Sequence, residues 1–141
     1  MRVIGFTFKK ISIEKKKEIA NNVNVNSDMK VINLYKGKTD LFGDKETLSI
    51  EYQFKIDYQP DFANLLFEGT LVLLMNDKND DELMKSVLKK WKDKTLPEDF
   101  GVTILKLIFL RCNLKALMLE EYLGLPPHIP NPEFSKIDKN L

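Results

Sequence analysis

Residues 47–58, TLSIEYQFKIDY, alternate without a fault: Leu48, Ile50, Tyr52, Phe54, Ile56 and Tyr58 are large and apolar, and Thr47, Ser49, Glu51, Gln53, Lys55 and Asp57 between them are polar. A period of two sends successive side chains to opposite faces of an extended chain, so this segment predicts a strand with one face buried and the other wet. On a helix the same six side chains would be scattered around the axis. The fold must therefore supply a sheet and a layer that covers one of its faces.

Other segments extend the sheet. Ile4, Phe6 and Phe8 alternate in even phase, whereas Ile11 and Ile13 continue in odd phase, so a bulge or a change of face is expected between Phe8 and Ile11. The same shift occurs where Val23, Val25, Met29 and Val31 give way to Ile32 and Leu34. In LLFEGTLVLLM, Leu65 to Met75, Glu68 and Thr70 are the only polar side chains, with Gly69 between them. Both faces of this strand are mostly apolar, and the second must meet a helix, another subunit or a ligand. Strands are expected over residues 2–14, 23–35, 47–58 and 64–75. The connectors YKGKTDLFGDKE and YQPD are too short for parallel crossovers, which predicts an antiparallel meander.

Two helices should follow, over residues 80–94 and 98–123. Asp80, Asp81 and Glu82 open the first and Lys89, Lys90, Lys92 and Lys94 close it, complementing the helix dipole. Leu83, Met84, Val87, Leu88 and Trp91 form its apolar stripe. Pro97, Glu98 and Asp99 open the second, and Gly124 supplies a left-handed cap. Its middle, VTILKLIFL, is apolar almost all round, which suits a helix between layers or between subunits. A Pro-rich segment, 124–141, closes what reads as a single α+β domain of 141 residues.

Composition excludes several functions. Acids and bases nearly balance, with a formal net charge of +1, and only Arg2 and Arg111 are arginines, so nothing favours nucleic-acid binding. The window 100–119 is interrupted by Lys106, Arg111 and Lys115 and does not read as a membrane span. The opening MRVIGFTFKKIS lacks the features of a secretory signal and reads as the mature start. Cys112, alone in the sequence, cannot form an intramolecular disulfide, implies a reducing cytoplasm, and reads as a buried inert thiol. His128, also alone of its kind, lies in PPHIP with no carboxylate beside it in sequence. No zinc set can be assembled from these two side chains. DKNDDELMKSVL has Glu82 where a calcium loop needs glycine and Leu88 where it needs a bidentate Glu. The reading is of a non-enzyme with no cofactor or metal. Unabsorbed apolar area remains in the two-faced strand, the all-round apolar helix, and Leu125, Ile129 and Phe134.

Several strings resemble the SecB protein-export chaperone family. VIGFTFKKISIE is similar to that family's first strand, and LSIEYQFKIDY and FANLLFEGTLVLLM are similar to its third and fourth. KKWKDKTLPEDFGVTILKLIFLRCNLKALMLEEYLGLPPHIPNPEF resembles its broken helical segment and Pro-rich connector, here ending in Asn131 and Phe134. The resemblance implies a four-stranded antiparallel sheet followed by two helices, assembled as a dimer of dimers with the main helices between eight-stranded sheets. It implies an ATP-independent holdase: a cytoplasmic tetramer that binds unfolded or extended client polypeptides in apolar grooves and serves protein folding and transport. For client binding the expected residues are Phe8, Ile11, Ile13, Leu41, Phe42, Leu125, Ile129 and Phe134. For the oligomer interface they are Ile104, Leu105, Ile108, Phe109 and Cys112. The acidic surface and tail by which that family docks on its export motor are not evident here, and the final helix would be clipped to 132–138. Two other readings stand beside this one: a non-catalytic regulatory or structural subunit of one permanent partner, including an antitoxin-type client, and a carrier of a small apolar ligand.

Overall fold

The computed structural model describes residues 1–18, 22–41 and 43–129. Strands β1 (Arg2–Lys15), β2 (Asn24–Thr39), β3 (Lys45–Gln59) and β4 (Ala63–Leu74) form one antiparallel sheet, followed by helices α1 (Lys78–Trp91) and α2 (Glu98–Leu123). Strand order is β1-β4-β3-β2, which corrects the meander expectation: β2, β3 and β4 do form one, but β1 lies beyond β4. The two most apolar strands thereby hold the centre. The edges fall to the strands that carry bulges and lysines, features that discourage pairing with stray chains.

The alternation of β3 becomes one wall of the core. Leu48, Ile50, Tyr52, Phe54, Ile56 and Tyr58 lie opposite Leu73, Leu71, Gly69, Phe67, Leu65 and Ala63 of β4, and all of these are buried. Both phase shifts are bulges. In β1 the register slips between Phe8 and Lys10, so Phe8, Ile11 and Ile13 all pair with the same face of β4, opposite Gly69, Phe67 and Leu65. In β2 it slips between Val31 and Asn33, which returns Leu34 to the core opposite Ile50 and leaves Ile32 exposed at the bulge.

Gly69 is required by its neighbours. The Tyr52 side chain reaches across β4 at this point, its hydroxyl donating to the Thr7 carbonyl at 3.1 Å and its ring stacking on Phe6 with centroids 5.0 Å apart. A Cβ on residue 69 would run into the Thr7 carbonyl and the Tyr52 hydroxyl, with Tyr52 Cζ at 2.8 Å.

Asp77 caps α1 by accepting from the Asp80 N–H at 2.9 Å, and Met84 and Val87 are the buried part of its stripe. α2 begins behind Pro97 and stops at Gly124, whose φ of 66° gives the left-handed cap. It lies against β2, β3 and β4. Its buried residues are Phe100, Ile104, Ile108, Cys112, Ala116 and Glu120, each four positions after the last. At 3.6 residues per turn, each such step advances about 40° round the helix. The contact line therefore winds along α2 as the helix follows a twisted sheet.

Gly69→Ala should lower the stability of the fold by about 3 kcal/mol, as read by urea unfolding, because neither the Thr7 carbonyl nor the Tyr52 ring can retreat without breaking its own contacts. An unchanged unfolding midpoint would show that Tyr52 does not cross β4 there.

Candidate functional site

The side of α2 turned away from the sheet is also apolar. Val102, Leu110, Leu114, Met118 and Tyr122 continue the four-residue spacing, offset by two from the buried stripe, with Lys106 filling the gap in the series. They are well exposed, Leu110 at 61%, Leu114 at 67% and Tyr122 at 79%. Contiguous apolar surface of this kind marks an interaction site more often than chance exposure does.

On the flank of α2 that faces β2 the surface sinks into a cleft of about 420 Å³. Met29 of β2 lines it from the sheet and Val102, Leu105, Phe109 and Leu110 line it from the helix, with Lys106 as its only charge among the described residues. Apart from the Lys106 amine, nothing in its wall among the described residues offers a nucleophile, an acid or a base. The chemistry available is burial of apolar side chains and one ammonium contact.

The segment after α2 is fastened beside this cleft by a buried polar network. The Tyr58 hydroxyl lies 2.7 Å from Glu120 Oε2 and 2.6 Å from the Pro126 carbonyl, and Nδ1 of His128 meets Glu120 Oε1. The side chains of Glu120 and His128 are almost wholly buried. Burial first, then the adjacent Glu120 carboxyl, pushes the Tyr58 hydroxyl above its ordinary range, so it remains a donor. The His128 ring stands edge-on to Phe54 and Phe109, at 5.9 and 6.4 Å between centroids. Phe109 is thus shared between the network and the cleft. Sequence reasoning missed Glu120 as the partner of His128, eight positions away. The signal was present, since Glu120 continues the buried series at four-residue spacing.

The expected client residues do not gather into one groove. Phe8, Ile11 and Ile13 lie along β1, Ile11 being 43% exposed, and the Arg111 guanidinium from α2 stands over the neighbouring Phe6 ring at 5.7 Å. β1 and β2 are opposite edges of the sheet, so this shelf and the cleft lie on opposite flanks of α2. Leu41, 85% exposed, sits in the β2–β3 turn. Ile129 is half-buried beside His128. Leu125 is a correction: at 7% exposure it belongs to the core and presents nothing to a client. Phe42 and Phe134 lie outside the described residues.

The interface set is also corrected in part. Ile104, Ile108 and Cys112 are wholly buried against their own sheet, because the face of β3 and β4 demands a cover within the chain. Leu105 and Phe109 remain partly open and line the cleft. Burial pushes the Cys112 thiol up to about 12. Among the described residues no cluster of His, Cys, Asp and Glu is placed to hold a metal ion, and no helix is long and apolar enough to cross a membrane.

No protein-family model and no curated protein matches the sequence. Among solved structures, a SecB-like chaperone of Mycobacterium tuberculosis, in complex with a ChAD peptide from an antitoxin, matches with a TM-score of 0.52 and 11% identity, over 96% of this chain and 91% of that one. The fold is SecB-like. The antiparallel sheet is followed by a short helix and then a long one, and the alignment runs through nearly all of both chains.

With its thiol buried under α2, the native protein should react with iodoacetamide at pH 8 roughly a thousandfold more slowly than the unfolded chain, in step with the displaced thiol. Rapid labelling of the folded protein would place Cys112 on an open face instead.

Proposed function

We propose that the chain is a holdase of the SecB-like kind that keeps unfolded polypeptides soluble by burying their apolar side chains on α2. The observation that carries this reading is the apolar cleft around Leu105 and Phe109, open on a helix whose sheet-facing stripe is already fully used. The fold likeness supports it. Such a protein needs no catalytic group: binding the unfolded state lowers the concentration free to aggregate. The C-terminal half of the outward stripe, Leu114, Met118 and Tyr122, suits assembly with further copies in a dimer of dimers and leaves the cleft open to a client.

A dedicated client is the second reading. The Mycobacterium tuberculosis chaperone was solved with an antitoxin peptide, which supports a role in guarding one partner as readily as one in general holding. Capture experiments separate the two, since a general holdase returns many unfolded clients and a dedicated one returns a single partner.

Val102→Ser combined with Leu105→Ser removes apolar area from the cleft without touching the buried stripe. It should weaken suppression of the aggregation of a chemically unfolded client by roughly tenfold, followed by light scattering, while circular dichroism stays that of the parent. Undiminished suppression by this variant would move client binding off the cleft.

A further inference from the structure

We infer that the cleft on α2 selects an extended client segment carrying a carboxylate beside its apolar side chains, and that Lys106 pairs with that carboxylate. This deepens the holdase reading and rests on it. Apart from Lys106 the cleft wall is apolar, and among the described residues the Lys106 ammonium has no hydrogen bond or ion pair. A lysine stem lies well on apolar surface while its head stays in water. A purely apolar client in the cleft leaves that ammonium to water, whereas a client acid supplies it with a charge-assisted bond.

The surrounding charge points the same way. From Val102 to Leu119, α2 carries Lys106, Arg111 and Lys115 and no acid. Asp99 lies seven positions before Lys106, about 10 Å along the axis. Asp28, next to Met29 in β2, points to the other face of the sheet, in register with Lys55. A basic client therefore meets repulsion at Lys106, and an acidic one finds that cation without a competing acid beside it among the described residues; Arg111 stands on the opposite flank, over Phe6.

The chain itself fixes one wall of the cleft. Gly124 ends α2, and the segment Leu125–Ile129 lies against the core with Leu125 buried, the Pro126 carbonyl on Tyr58 and the His128 ring on Phe109. Phe109 is also a wall of the cleft, and Lys106 lies one helical turn before it. A client side chain that packs on the open side of Phe109, opposite the His128 ring, brings its neighbour within reach of Lys106.

The test uses fluorescence anisotropy on the full chain with two labelled peptides of one Leu- and Pro-rich sequence, one bearing two Asp and the other two Lys. The Asp peptide should bind about fivefold tighter at low salt, with the difference shrinking as salt rises. Lys106→Glu should reverse the order. Equal affinities for both peptides, or an unchanged order in Lys106→Glu, would overturn the charge preference and leave the holdase reading standing. Failure of the folded protein to bind either peptide would contradict both. A changed solution mass in Lys106→Glu with peptide binding intact would assign the cleft to a second copy and overturn the inference.

Discussion

A helix laid on a sheet covers one side of its own surface, and α2 is apolar on nearly every side. The buried stripe from Phe100 to Glu120 is committed by β3 and β4, whose alternating face must be covered within the chain. Rotating α2 to hide Leu110 or Leu114 would bring Ile108 and Cys112 into water, so the excess cannot be absorbed by repacking. Each large apolar side chain left outside forgoes about 1.5–3 kcal/mol of burial. That surface is what a partner can use, and the proposed function follows from it.

Apolar packing alone does not fix a helix at one rotation. Two directional contacts supply what it lacks. At one, the absence of a side chain at Gly69 lets Tyr52 cross β4 to the Thr7 carbonyl, with the Cys112 thiol of α2 beside its hydroxyl. At the other, Tyr58 of β3, Glu120 of α2 and His128 of the closing segment join sheet, helix and loop in a single buried network. Replacing any member of that network strands the others without water, which is where buried polar groups exert their largest effect. The cleft thus has one wall, Phe109, set from behind by the His128 ring.

Much of this was legible in the sequence because period and punctuation are local. Six faultless alternations in 47–58, the phase shifts at Phe8 and Val31, and Gly124 behind a long apolar run each report on their own neighbourhood, and the structure carries a strand, two bulges and a cap at those places. The position of β1 beside β4 was not legible, since strand order depends on which surfaces meet across the chain. The same limit applies to the site. An all-round apolar helix does not declare which stripe faces its own sheet, so Ile104, Ile108 and Cys112 read as interface when they are core. The four-residue spacing that ends on Glu120 is the clue that would have separated the stripes, and it would also have supplied His128 with its partner.

The requirement on which the proposed function rests is that the C-terminal half of the outward stripe of α2, Leu114, Met118 and Tyr122, is covered by further copies when the protein is folded, leaving the cleft to a client. Molar mass in solution, measured by light scattering over a range of concentrations without client, tests it most directly. The account predicts an assembly at a small multiple of 16.4 kDa, four copies in the dimer-of-dimers arrangement. A folded, non-aggregating monomer at 16.4 kDa across the range would contradict it, because the exposed Leu114, Met118 and Tyr122 would then be tolerated in water with no partner at all.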